Sequence, residues 1–151
     1  MNWINVFGFV FMLAIMIPNM IFALKNRDGF QNLWKNRIVE ILEQIGRFGC
    51  FAFMVLIIPG CRFGFSSDEH FALYLIINTM LIVMYYLVWI ICFRRNSIFR
   101  ALALSVIPSL IFLTSGVLSN YVPLLIAAII FAPCHIVISY KNAMLEIDSR
   151  G

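Results

Sequence analysis

Apolar residues gather in five long blocks along this chain, separated by short polar stretches. The blocks cover about residues 3–24, 38–58, 71–93, 101–118 and 122–140. From Phe71 to Phe93 there is no charged side chain at all. Each block is close to the roughly 20 residues that a helix needs to cross bilayer hydrocarbon. An open strand edge finds no backbone partner in lipid, so helices are the spanning form. The pattern predicts an all-α integral membrane protein: a single domain over residues 1–151, folded as a bundle of five transmembrane helices. The first block lacks a basic leader and a small-residue cleavage site, and it is long for a secretory signal, so it reads as a span.

Polar positions at the block edges suggest how the helices begin. Asp28 with Gln31 has the form of a capping box, and Phe30, Trp34, Ile38, Ile41, Ile45 and Phe48 then recur at helical spacing. One helix could therefore run from Asp28 to Pro59. Its first turns, over residues 25–37, would form an amphipathic segment at the cytoplasmic interface. Ser66 with Glu69 reads as a second capping box, at the start of the third span. Pro123 suits the first turn of the fifth.

Composition agrees with the pattern: 63% of residues are hydrophobic and 12% charged, against about 25% charged in soluble domains. Charge adds an orientation. Lys25, Arg27, Lys35, Arg37, Arg94, Arg95, Arg100, Lys141 and Arg150 flank one side of the predicted spans, whereas Arg62 is alone on the other. Basic residues stay on the cytoplasmic side, so the N-terminus is expected outside and the C-terminus in the cytoplasm, in a plasma (inner) membrane. Because the net charge of +4 lies beside helix ends, it carries no indication of nucleic-acid binding.

Candidate chemistry is sparse. No CxxC pair occurs among the four cysteines, so neither a structural disulfide nor a thiol redox centre is expected. HExxH, GxSxG, Walker, GxGxxG and zinc-spacing motifs are absent, and no cofactor or metal is implied. The exception is a polar stripe within the second block. Glu40, Glu43 and Arg47 share one helical face, with Gln44 beside them, and Glu43 precedes Arg47 by the four residues that favour an intrahelical ion pair. Charge inside a bilayer costs roughly 3 kcal/mol per residue even on lenient scales, so charges kept there commonly have a task. The plainer reading leaves Glu40 and Glu43 at headgroup level, with Glu43 neutralising Arg47 inside the bundle.

His135 in the fifth span and Asn19 in the first fall in the same cytoplasmic half. Histidine titrates near neutrality and can relay protons, although a lone membrane histidine or asparagine also serves as packing glue. Asn78 reads as such glue. Tyr85, Tyr86 and Trp89 suit an interfacial aromatic belt better than a cavity lining. Pro18, Pro108 and Pro133 lie at similar depth, where kinks would splay the bundle toward the cytoplasm. The outer halves are mostly apolar.

The expected site is thus a polar cup closed on the outer side, made by Arg47, Glu43, Gln44, Glu40, His135 and Asn19. The expected function is binding or transport of a small molecule entering from the cytoplasm, with membrane lipids as surroundings. Two alternatives stay open: an intramembrane enzyme acting on a lipid or amphiphile, with Glu43 or His135 as general base, and a non-catalytic subunit of a membrane complex. Five short helices enclose little volume, which leaves room for a homodimer or a membrane partner protein.

Overall fold

A computed structural model of the chain describes residues 3–25, 32–93 and 97–149. It is all-helical over those residues, with α1 (Val6–Lys25), α2 (Arg37–Val55), α3 (Asp68–Cys92), α4 (Ile98–Leu118) and α5 (Val122–Asp148). Four of them, α1, α3, α4 and α5, are long and apolar enough to cross a membrane, which makes this a multi-pass membrane protein. By the same measure α2 falls short, because Arg37, Glu40, Glu43 and Arg47 interrupt its apolar face.

Helix starts follow local polar chemistry. Asn5 begins α1, its Oδ1 accepting from the Gly8 amide at 3.1 Å. Ser97 caps α4 through the Arg100 amide at 3.1 Å. The cap of α3 is Ser67, which takes the His70 amide at 3.3 Å, and not the expected Ser66. Ser66 instead accepts from Asn120 at 3.0 Å and pins the preceding loop to the α4–α5 turn.

A single helix from Asp28 to Pro59 does not form. Residues 32–36 are non-helical, and the chain turns into α2 at Asn36, whose side chain accepts from the Val39 amide at 3.3 Å. The Glu40 carboxylate reaches back to the Asn36 amide at 3.2 Å. A second tie holds the segment away from the helical path: the Trp34 amide donates to Asn142 on α5 at 2.7 Å. The local cap and this long-range bond together outcompete helix propensity over residues 32–36. The Asp28–Gln31 box lies outside the described residues. α2 also ends early, at Val55, while α5 runs two turns past the expected Tyr140, to Asp148.

The helices close into a ring. α1 packs on α2 and α3, α2 on α5, α5 on α4, and α4 on α3, giving the order 1–2–5–4–3. The contacts of α2 with α5, α4 with α5 and α3 with α4 are extensive, whereas α1 is held more lightly. Small residues permit the closest approach. A Cβ on Gly46 would lie 2.7 Å from the Phe131 backbone, and one on Gly49 would meet the Ala127 Cβ at 2.9 Å. Where lipid leaves no hydrophobic drive between helices, such close packing is what holds them.

At the end away from both basic connections the ring is plugged by aromatic side chains. Phe65 packs on Tyr74 at 5.1 Å and on Phe71 at 4.9 Å, and Phe63 packs edge-on against Tyr121 at 5.5 Å. Tyr121 is fully buried in the α4–α5 turn. Its hydroxyl donates to the Leu56 carbonyl at 3.0 Å and accepts from the Ile58 amide at 2.9 Å. Burial raises this phenol above its ordinary range, so it stays protonated and keeps both bonds. Deeper in the same half, Ser115 of α4 donates to the fully buried Asn78 of α3 at 3.1 Å, so Asn78 is interhelical glue.

Candidate functional site

The opposite half of the ring is hollow. A cavity of about 1270 Å³ lies between the second halves of α1, α3 and α5 and the first halves of α2 and α4. This exceeds the roughly 300–1,000 Å³ of ordinary small-molecule pockets. Glu40, Glu43, Gln44, Arg47, His135 and Asn19, the six residues singled out from the sequence, all line it.

Its chemical centre is the Glu43 carboxylate. The Gly46–Phe131 contact draws α2 onto α5, and Glu43 and His135 lie about one turn from that contact on their own helices, on the shared side. Oε1 of Glu43 lies 2.9 Å from Nδ1 of His135. The same oxygen accepts from Nε of Arg47 at 3.0 Å, and Nη2 of Arg47 closes on it as well. The expected intrahelical ion pair therefore forms, with His135 as an interhelical third member. Glu43 is only 2% exposed. A buried carboxylate is strongly disfavoured unless paired and hydrogen-bonded, and here its one oxygen takes three donors.

A carboxylate only accepts, so Nδ1 of His135 carries the hydrogen of that bond. Nε2 is then the nitrogen left to accept or exchange a proton. The ring is held flat against Phe131, at 4.6 Å between centroids and 20° between planes. Arg47 spends two of the five donors of a guanidinium on Glu43, and 37% of its side chain is exposed toward the cavity.

The other expected site residues play different parts. The Glu40 carboxylate accepts from Asn32 at 2.8 Å and from the Asn36 amide, so it finishes the start of α2 at the cavity mouth. Gln44 is exposed on the lining. Asn19 does not reach the Glu43 cluster through any hydrogen bond. Its Oδ1 accepts from the Tyr85 hydroxyl at 2.8 Å, which ties α1 to α3 across the ring.

Tyr85 and Trp89 correct the expectation of an aromatic belt. Both are buried, at 1% and 4% exposure, and both line the cavity. Position alone put them in a belt; what turns them inward is their register on α3, one helical turn apart. Trp89 packs on Phe22 at 4.9 Å. Its Nε1 is buried beside Tyr85. Sequence reasoning also missed Asn142, Glu146 and Arg100 on the lining. Asn142 and Glu146 are reached only because α5 continues beyond Tyr140, and Arg100 lies in the first turn of a helix that starts three residues earlier than expected. Pro108 lines the cavity, but Pro133 is exposed outside it.

The roof is apolar, formed by Ile15, Phe51, Pro108, Phe112 and Phe131. The site therefore joins a polar wall with donors to spare to a hydrocarbon interior. Among the described residues no three His, Cys, Asp or Glu side chains converge as metal ligands would. No protein-family model matches the chain, and no curated protein or solved structure is similar to it.

Proposed function

We propose that the protein is a small-molecule binding or transport protein of the plasma membrane, its cavity open to the cytoplasm. The observation that carries this reading is the convergence of Arg47, Glu43, His135, Gln44, Glu40 and Asn19 on one large cavity from three helices. Arg47 would hold an anionic or acceptor-bearing group, Glu43 would orient Arg47, and His135 would add a proton donor or acceptor at Nε2.

In this reading α2 is the fifth crossing. Glu40, Glu43 and Arg47 line the cavity, while Ile38 and Phe48 are exposed outside that lining as apolar surface suited to lipid. Its 19 residues make about 28 Å of helix at 1.5 Å each, near the hydrocarbon thickness. With the basic connections on the cytoplasmic side, the cavity mouth would open to the cytoplasm and the aromatic plug would lie outside. A plug at one end and a mouth at the other suit a binding protein or an alternating-access carrier better than an open channel.

A second reading is favoured by one feature. A histidine held at Nδ1 by a carboxylate, with no hydrogen bond to Nε2 among the described residues, has the arrangement of a general base. In an intramembrane enzyme His135 would abstract a proton and Glu43 would hold its ring. Mass spectrometry of whatever co-purifies in mild detergent tests the main reading. A stoichiometric small molecule or lipid in the wild type, lost in Arg47→Leu, is the expected result. Equally empty wild type and variant, both folded, would overturn it and favour a subunit role with a partner protein. Retained binding with lost turnover in Glu43→Gln would instead point to the enzyme.

A further inference from the structure

The wall between α1 and α2 is closed at the plugged end. Near the aromatic plug the two segments are stitched together: the Asn5 amide donates to the Val55 carbonyl at 2.8 Å and the Ile57 amide to the Trp3 carbonyl at 2.9 Å. Gly8 sits so close to the Met54 carbonyl that a Cβ there would clash. Toward the other end the helices have different partners. The inner half of α1 is bound to α3, through the Tyr86 hydroxyl on the Ala14 carbonyl at 2.9 Å and through Tyr85 on Asn19. The inner half of α2 is bound to α5, through Gly46, Gly49 and the Glu43–His135 contact. Between these inner halves lies the cavity.

Its rim there is apolar. Met20 of α1 and Ile41 and Ile45 of α2 line the cavity and are 56%, 49% and 59% exposed. Ile45 lies about 12 Å along the helix from Arg37, well inside the hydrocarbon. The gap therefore faces acyl chains rather than water.

Inside, the strongest donor with capacity to spare is Arg47, which lines the cavity. Oε1 of Glu43 is occupied by Arg47 and His135. Asn19 Oδ1 is taken by Tyr85. Arg47 keeps guanidinium hydrogens that Glu43 does not use. Donors facing an apolar roof suit a head group with several acceptor oxygens joined to a hydrocarbon chain.

We infer that the cavity takes an amphiphile with an anionic carboxylate or phosphate head, admitted sideways from the inner membrane leaflet between α1 and α2. This rests on the binding reading above and names its ligand class and route. The head lies against Arg47, and the chain lies under Phe51, Phe112 and Phe131 or trails through the gap past Met20 and Ile45.

The experiment uses the full chain in phosphatidylcholine nanodiscs, with native mass spectrometry as the readout. The probes are hexadecanoate, hexadecyl phosphate, hexadecanol, butyrate and inorganic phosphate. One hexadecanoate or hexadecyl phosphate per chain is expected, bound at least about tenfold more weakly in Arg47→Leu, as loss of a charge-assisted hydrogen bond implies. Arg47→Lys, which keeps the charge if the leucine variant misfolds, is expected to retain part of that affinity. Hexadecanol is expected to bind more weakly than either anion. Ile45→Trp, at the exposed rim, is expected to slow uptake of hexadecanoate from vesicles severalfold; an unchanged rate overturns the lateral route. Arg47-dependent binding of butyrate or inorganic phosphate as strong as that of the long-chain probes would overturn the amphiphile and leave the binding reading standing. Binding of all probes indifferent to Arg47 would overturn both.

Discussion

Gly46 of α2 lies against the backbone of Phe131 of α5, so close that a Cβ would come within 2.7 Å of it. This single contact decides the site. It lets two helices approach until a carboxylate on one and an imidazole on the other meet at 2.9 Å. Replacing Gly46 with Val is therefore expected to force α2 off α5. Overpacking of this kind costs about 1–3 kcal/mol. Thermal unfolding in detergent should show a lower Tm for Gly46→Val, and the variant should lose ligand affinity with Arg47, Glu43 and His135 all unchanged. A wild-type Tm would mean that the helices separate at no cost.

The His135–Glu43 contact predicts a tautomer. With Nδ1 donating to the carboxylate, ¹⁵N spectra of histidine-labelled protein should show His135 protonated at Nδ1. Glu43→Leu should release that preference. The same substitution strips Arg47 of its partner, which costs up to about 3–5 kcal/mol for a buried pair. The partial exposure of Arg47 lowers the expected loss toward the bottom of that range.

Trp89 offers a contrast between stability and binding. Its Nε1 is buried beside Tyr85, so Trp89→Phe removes a desolvated donor while keeping an aromatic ring against Phe22. Loss of volume and loss of a desolvated donor work in opposite directions. The Tm is expected to move little. Affinity for an acceptor-bearing ligand is expected to fall, measured by the same mass spectrometry in nanodiscs.

At the plugged end, Tyr121→Phe deletes the hydroxyl that serves Leu56 and Ile58. Losing two part-buried hydrogen bonds costs about 0.5–1.5 kcal/mol each. The expected phenotype is a lower Tm with ligand binding intact, because the plug and the cavity occupy opposite halves of the ring.

Orientation is open to direct measurement. Cys61 is exposed in the loop after α2, whereas Cys50 and Cys92 are buried. In intact cells a membrane-impermeant maleimide is expected to label Cys61 from outside. Labelling only after the inner face is opened would reverse the orientation and place the cavity mouth outside.

The chain displays its helices and its polar stripe openly, because both rest on local physics. Uninterrupted apolar runs near 20 residues admit one backbone solution in lipid. The spacing of Glu43 and Arg47 puts them on one face whatever surrounds them. Where only neighbours decide, the sequence misleads or is silent. The Asn142 side chain, 108 residues from Trp34, takes the amide that a continuous helix through residues 32–36 would have used otherwise. Ser67 displaces Ser66 as the cap of α3 because Asn120 claims Ser66. Tyr85 and Trp89 sit at a depth where an aromatic belt is usual, and nothing local distinguishes a ring facing lipid from one facing a cavity.

By itself, then, the sequence determined the helical class, the four strongly apolar spans, the polar face of α2 and the ion pair along it. Tertiary structure decided that the helices close in the order 1–2–5–4–3 and that Gly46 seats on Phe131. It decided that His135 completes the Glu43 cluster. The reason is one of range. Helix formation and the i,i+4 pair are settled within a few residues, whereas ring order and the α2–α5 approach depend on shape complementarity between segments up to about ninety residues apart.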